Sequence, residues 1–367
     1  MMIKPQKIIF ILPTLMPGGA EKVMASLAGL LSRKGNKVLL CSIYQLDALM
    51  EEIDKTVSVK FLTNSNKSRN GLEILAALNF RKVVKDFSPD VVISTLPPAN
   101  FINVLTSFLV KKRYKTVVRE ASTPSVFYKA KLKSNLLNYI SAFFCRRADY
   151  FIAPSQAVLE DAIGCYGLAR ERGRVIPNPI EFEKIEKLAS INKPVFFQNK
   201  LEGKVLIGIG RLCHEKGFDV LIEAFSLLKN RNCHLLILGE GELREKLEEQ
   251  IKSLSLTERV HLIGFQKNPY VYLKNSDLFI LSSRVEGQPN VLLQALSLGL
   301  PVVATDCPSG PRELIGATQK GLLVPVNDPK KLAEAIDLQI EKPILHSGLE
   351  KDLFSIESVT RLWEQLL

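Results

Sequence analysis

Short, uninterrupted apolar runs alternate with longer amphipathic stretches along the whole chain. In the first half the runs are "KIIFILP", "KVLLCSI", "VSVKFL", "DVVIST", "KTVVRE" and "YFIAPS", with helical periodicity from Glu21, through 72–84 and from Asn100. The second half repeats the rhythm with "KVLIGIG", "CHLLILG", "RVHLIGF", "DLFILS", "PVVAT" and "GLLVP", separated by the helical "DVLIEAFSLLK", "LREKLEEQIKSL" and "NVLLQALSLG". Largely continuous apolar strands of this kind demand cover on both faces and therefore a parallel sheet between helices. The fold class predicted is α/β, with two doubly wound Rossmann-like domains facing across a cleft. Ligands of open α/β sheets bind outside the carboxyl ends of strands.

At 367 residues the chain is too long for one ordinary core. The polar, Pro- and Asn-bearing stretch "PNPIEFEKIEKLASINKPVFFQNKLEG" divides it into an N-terminal domain over 1–185, a linker over 186–202 and a C-terminal domain over 203–354. The final "SIESVTRLWEQLL" reads as an amphipathic helix with Val359, Leu362, Trp363 and Leu366 on one side. Over 355–367 it closes its own domain or crosses back to complete the first.

The N-terminal apolar run ends at Pro13 and Pro17 without a small-residue cleavage site, so it reads as a buried strand rather than a signal segment. The later run "NVLLQALSLGLPVVAT" is broken by Gly299 and Pro301 and is shorter than the roughly 18–20 residues a membrane span needs. No transmembrane segment is expected. Six scattered cysteines without C-x-x-C spacing support neither a zinc site nor a disulfide framework, and reduced thiols are expected.

Charge changes the picture more. The net charge is +11, yet residues 1–180 hold 26 Lys+Arg against 13 Asp+Glu, and the remainder 23 against 25. Ten basic residues (Lys111, Lys112, Arg113, Lys115, Arg119, Lys129, Lys131, Lys133, Arg146, Arg147) fall between Lys111 and Arg147, with Glu120 the one acid among them. Nucleic acid, anionic lipid, a diphosphate-bearing substrate or mere solvation would each suit such a stretch. No helix-turn-helix, RNA-recognition or zinc-finger pattern accompanies it, so nucleic acid is not expected as a partner.

Three strand-to-helix loops carry candidate chemistry. In "LPTLMPGGAEKV", Gly18 and Gly19 precede a helix; paired glycines serve a tight turn or let a phosphate approach the helix start. In "GIGRLCHEKGFDVL", Arg211 and Lys216 lie five residues apart, suited to a diphosphate or to solvent as a surface pair. In "SRVEGQPNVLLQALSLGLPVVATDCPSGPREL", Glu286 ends a strand, a Gly-Gln-Pro turn follows, and a helix starts near Pro289 or Asn290. Its first amide groups offer an anion seat, and Gln294 sits about one turn inside.

Together "GGAEKV", "GRLCHEKGFD", "LGEGELREKLE", "LIGFQKNPYVYL" and "SSRVEGQPNVLLQALSLGLPVVATDCPSGPREL" resemble the retaining glycosyltransferases of family four, which have the two-domain glycosyltransferase-B fold. The resemblance spans nearly the whole chain. It implies a nucleotide-sugar donor, UDP-linked, and transfer of an N-acetylhexosamine or hexose to a lipid-diphosphate-linked or polysaccharide acceptor. It also implies that Arg211 and Lys216 bind the diphosphate, that Glu286 faces the donor sugar as the first Glu of an E-x7-E motif, and that the second motif position holds the ribose. That second position is Gln294, a departure from the family. An amide accepts with its oxygen alone, which predicts nucleotide binding weaker by roughly 1–2 kcal/mol.

The same resemblance places Gly18, Gly19, Gly264, Phe265, Gln288, Pro289, Asn290 and Val291 with Gln294 around donor and nucleotide. In "VVREASTPSVFY" the position after Arg-Glu is Ala121, where many relatives carry His. The variant E-x-[ST]-T-P-S resembles the branch that adds N-acetylgalactosamine to lipid-diphosphate-linked sugars in bacteria. Glu120 is the candidate for contact with acceptor or donor sugar, against a capping or salt-bridge role. No D-x-D occurs, so no metal and no other cofactor is expected. The apolar-basic segments "SFLVKKRYK" and "VFYKAKLKSNLLNYISAFF" predict peripheral association with an anionic membrane surface on its cytoplasmic face. A nucleotide-sugar epimerase or polysaccharide synthase of the same fold, and a catalytically weakened partner subunit, are the alternatives.

Overall fold

The computed structural model describes residues 4–66, 72–111, 113–129, 142–191, 193–198, 202–316 and 319–367. Lys112, Lys131, Lys133 and most of the apolar-basic segment over 126–144 lie outside the described residues. The chain divides into two compact units, Met1–Pro179 with Glu357–Leu367, and Ile180–Ile356.

In the first unit the apolar runs become β1 (Lys7–Leu12), β2 (Lys37–Ser42), β3 (Ser58–Phe61), β4 (Val91–Thr95), β5 (Lys115–Arg119), β6 (Tyr150–Ala153) and β7 (Gly173–Val175). They form one parallel sheet in the order β3-β2-β1-β4-β5-β6-β7. β1 is an interior strand, third in that order, with Ile8 to Leu12 fully buried, which is why this run is so apolar. The second unit holds β8 (Lys204–Ile209), β9 (Cys233–Leu238), β10 (Val260–Gly264), β11 (Leu278–Leu281), β12 (Val302–Thr305) and β13 (Leu322–Val324). Their order is β10-β9-β8-β11-β12-β13, again parallel throughout. Both sheets are doubly wound, and strand order reverses between β1 and β4 in one and between β8 and β11 in the other.

One boundary differs from the expected one, and the C-terminal helix takes the second of its two expected places. The units meet at Pro179–Ile180, because the segment expected to be a linker folds onto the second unit. Within it the helix Phe182–Ala189 buries Phe182, Ile185 and Ala189, and Phe196 and Phe197 pack on the same core. The helix Ile356–Glu364 belongs to the first unit, where Val359, Trp363 and Leu366 are buried beside the β1 and β2 side chains. Leu362, expected with them, is exposed, since its neighbours already fill the apolar stripe. Lys34 pairs with Glu364 at 2.8 Å, and Lys115 Nζ donates to the carbonyl of Leu366 at 2.6 Å. No helix among the described residues is long and apolar enough to cross a membrane.

Candidate active site

In the second unit, the crevice between β8 and β11 is built from backbone that only glycine permits. Gly239 follows β9 at φ 141°, and a Cβ there would fall 1.9 Å from the Gly210 carbonyl oxygen. Gly241 presses equally on the Leu212 carbonyl, at 2.3 Å, and Leu212 donates to the Glu240 carbonyl at 2.9 Å. The loop after β8 is thereby fixed against the loop after β9, and any side chain at these glycines would push them apart. Gly217, at φ 63°, allows the turn His214–Lys216 to pass within van der Waals distance of Ser282.

That turn carries Lys216, whose Nζ lies 2.6 Å from Glu286 Oε1. Glu286 is 8% exposed. It does not end β11 as expected but lies five residues beyond it, in the turn leading to the helix Asn290–Ser297. Ser283 Oγ donates to the same Oε1 at 2.7 Å, and Ser309 Oγ donates to the Glu286 carbonyl at 2.6 Å. Gly310, at φ 89°, brings the loop after β12 against Gly287 and Pro289; a Cβ there would meet Pro289 Cδ at 2.7 Å. The carboxylate is therefore held at Oε1 by Lys216 and Ser283, while Ser309 fixes its backbone.

Arg284 secures the arrangement. Its guanidinium forms two bonds to Asp219, at 2.9 and 2.7 Å, one to the His214 carbonyl at 2.7 Å and one to Asn327 at 2.6 Å. Its own N–H donates to the Glu215 carbonyl at 2.8 Å. Burial would raise the Asp219 carboxyl, but the hydrogen bonds and charge of Arg284 outweigh it and hold the group below the usual carboxylate range. Such a bidentate pair fixes planar geometry as well as charge. The sequence reading passed over this residue, because its carboxylate partner lies 65 positions away.

The other residues expected around a donor fall at or beyond the ends of β8, β10 and β11. Arg211 is exposed on the loop after β8, beside Cys213 and Glu215; their hydrogen bonding and charge raise its pKa further above the ordinary value. Gly264 ends β10 at φ 83° and Phe265 after it is exposed. Gln288 and Pro289 are buried, Asn290 and Val291 are half-buried, and Pro289 stands at the N-cap of the helix they enter. Gln294 is half-buried on that helix. The structure thus bonds Lys216 directly to Glu286 and sets the others on adjoining loops.

In the first unit Gly18 caps the helix Gly19–Arg33, at the reversal point next to β1. The helix start already faces the chain's own carboxylate, because a Cβ on Gly18 would fall 2.2 Å from Glu21 Oε2. Arg119 and Glu120, adjacent at the end of β5, point to opposite faces of the sheet. Arg119 is 2% exposed, donates to Asn178 at 2.5 Å and to Thr95 at 3.4 Å, and is drawn down to about 10 by burial against the opposing pull of Glu120 and Glu21. Strand alternation was the signal that could have separated the two. Leu96, between β4 and the helix Pro97–Leu109, sits at φ 71°, a strain costing about 1–3 kcal/mol.

Glu120 accepts from Tyr166 at 3.1 Å and from the Ala121 N–H at 3.1 Å. It lines a small hollow with Pro97, Asn100, Phe101, Phe144, Cys145 and Tyr166. Burial raises its pKa against these hydrogen bonds and the Arg119 charge. Its present bonds are therefore internal to the unit.

Two doubly wound parallel domains with a charged crevice at a strand-order reversal define the glycosyltransferase-B architecture. Residues 17–184 match the model for Glycosyltransferase Family 4, and 192–352 match that for Glycosyl transferases group 1. The chain is 32% identical over 342 residues to N-acetylgalactosamine-N,N'-diacetylbacillosaminyl-diphospho-undecaprenol 4-alpha-N-acetylgalactosaminyltransferase of Campylobacter jejuni, covering 92% of this chain and 90% of that one. It is 34% identical over 283 residues to an uncharacterised glycosyltransferase of Methanocaldococcus jannaschii, covering 73% and 68%. In fold it is similar to Anabaena HepE, solved in complex with UDP, with a TM-score of 0.81 at 21% identity over 98% of each chain. The chain belongs to the family-four glycosyltransferases.

Proposed function

We propose that this glycosyltransferase moves an N-acetylhexosamine or hexose, with retention, from a UDP-linked donor to a lipid-diphosphate-linked glycan in cell-surface glycan synthesis. The observation that carries the reading is the Lys216–Glu286 pair at the β8/β11 reversal point. The solved relative that holds UDP and the Campylobacter relative named for a diphospho-undecaprenol acceptor support the choice of donor and acceptor.

In this reading Lys216 and Arg211 take the negative charge that builds on the departing diphosphate, and the start of the helix Asn290–Ser297 seats it with Gln288 to Val291. Glu286, held by Ser283 and Lys216, faces the sugar. Gln294 meets the ribose and Gly264 with Phe265 the base. The bond from the anomeric carbon to the diphosphate oxygen breaks as the bond to the acceptor oxygen forms on the same face. The acceptor proton passes to the leaving phosphate oxygen, giving UDP and the extended glycan. Fixed cations replace a metal in this scheme, so turnover survives EDTA.

The test is a panel of UDP- and GDP-sugars with a polyprenyl-diphosphate-linked acceptor, with products assigned by anomeric configuration. A retained glycosidic product that forms only when acceptor is present supports the proposal. An altered nucleotide sugar formed without acceptor would make the protein an epimerase. An inverted product, or loss of turnover on chelation, would overturn the mechanism.

A further inference from the structure

In the first unit the helix Leu72–Phe87 is apolar on both sides. Ala76, Ala77, Phe80, Val83 and Val84 are buried, as an amphipathic helix requires. Ile74 (68% exposed), Leu75 and Leu78 (57%) face the opposite way. Phe108 (59%) and Leu109 are exposed at the end of the helix Pro97–Leu109. Ile74, Leu78 and Arg81 follow one another at helical spacing along a single line. Arg81 Nε donates to the Leu109 carbonyl at 3.0 Å, which joins that line to the end of the second helix. The two groups of exposed apolar side chains are thus carried on adjoining helices tied together by Arg81, and clustered exposed apolar residues of this kind mark interaction sites.

Charge around these side chains has one dominant sign. Arg81, Lys82 and Lys85 continue the first helix and Lys111 follows the second. Glu73 is turned away from them, accepting from Tyr44 Oη at 2.7 Å, and Asp86 is the other acid on that helix. A second copy of the chain fits poorly, since a twofold contact would set these cations against themselves. Anionic lipid fits both features, because apolar side chains enter the boundary between headgroups and acyl chains while cations meet lipid phosphates.

We propose that this face docks on an anionic bilayer, with Ile74, Leu75, Leu78, Phe108 and Leu109 entering the interface and Lys82, Lys85 and Lys111 contacting headgroups. The surface differs from the segments that the sequence pointed to, in that its larger part lies on 72–87. It rests on the lipid-linked acceptor reading for its purpose but not for its evidence.

Co-sedimentation of the full chain with phosphatidylglycerol-containing and pure phosphatidylcholine vesicles tests it. Binding is expected to the anionic vesicles and to weaken with salt. The triple change Ile74→Ser, Leu75→Ser, Leu78→Ser should lower the partition coefficient at least about tenfold while UDP binding by titration calorimetry is unchanged. If that variant does not fold, the pair Lys82→Glu and Lys85→Glu should produce a loss of similar size at low salt. Wild-type failure to bind anionic vesicles, or variants that bind like wild type, would overturn the docking face even where sugar transfer from a UDP donor persists. A change from dimer to monomer in the variants, with vesicle binding intact, would overturn it in favour of a second copy. Absence of UDP binding with vesicle binding preserved would instead count against the proposed function alone.

Discussion

Lys216 and Glu286 neutralise one another at 2.6 Å, from two loops that are 70 residues apart in sequence and adjacent at the β8/β11 reversal. A diphosphate that recruits Lys216 must draw it from that carboxylate. The two partners therefore have opposite effects on nucleotide affinity. Lys216→Met should weaken UDP binding by roughly 10- to 100-fold, the worth of a hydrogen bond between charged groups. Glu286→Gln should leave UDP binding equal or tighter while lowering kcat by about 10²–10³-fold, as loss of a charge aimed at a reacting centre does. Calorimetry for UDP beside steady-state turnover checks both, and parallel losses of affinity in the two variants would contradict the exchange.

Arg284 holds the Lys216 turn without being placed to touch the donor. Arg284→Met leaves the Asp219 carboxylate and the His214 carbonyl without their cation, at an expected cost of about 1–3 kcal/mol in stability. UDP affinity should fall with it, because Lys216 loses its position. Arg284→Lys should restore little, since an ammonium cannot make the planar two-bond contact. Thermal denaturation with and without UDP is the measurement, and full recovery in the Lys variant would show that charge alone suffices.

Gln294 makes the strongest sequence-specific prediction. Gln294→Glu restores the family's carboxylate and should tighten UDP by about 1–2 kcal/mol, or roughly 5- to 30-fold. The gain should vanish with a nucleotide that lacks the ribose 2′ and 3′ hydroxyls. An equal gain with both nucleotides would place Gln294 away from the ribose.

How far the chain was readable depended on whether the cause lay close in sequence. The buried strands were plain because a strand covered on both faces needs unbroken apolar residues, and β1 and β8 have them. Lys216 and Glu286 stood out because each sits in a loop whose residue types suit an anion. Arg284 did not, as its role exists only once Asp219 and His214 have been brought to it by the sheet. The exposed apolar side chains on 72–87 were hidden for a different reason: "LEILAALNF" is apolar at so many positions that its pattern does not separate the face turned to the core from the face turned to water. The expected linker failed likewise, because its charged residues concealed Phe182, Ile185 and Phe197, which have a core to enter.

Glu120 allows the pH dependence of the first unit to be tested. Burial raises its folded-state pKa above the ordinary carboxyl value of 4.5. A raised folded value means that the protonated side chain supports the fold. That support is complete below the ordinary carboxyl range and is lost as pH rises through the folded value. Glu120→Gln keeps the shape and cannot ionise, so its melting temperature relative to wild type should climb across that window and level off above it. The direction of the change is the test, and a domain of about 150–250 residues moves by roughly 2–4 °C per kcal/mol, so it is readable. Scanning fluorimetry from pH 4 to 8 would read it, and a melting-temperature difference independent of pH would mean that Glu120 ionises normally. Turnover of the same variant separates the two roles considered for this residue. Retained kcat assigns Glu120 to the internal bonds with Tyr166 and Ala121, whereas a fall of about 10²-fold or more would assign it to contact with the acceptor or the sugar.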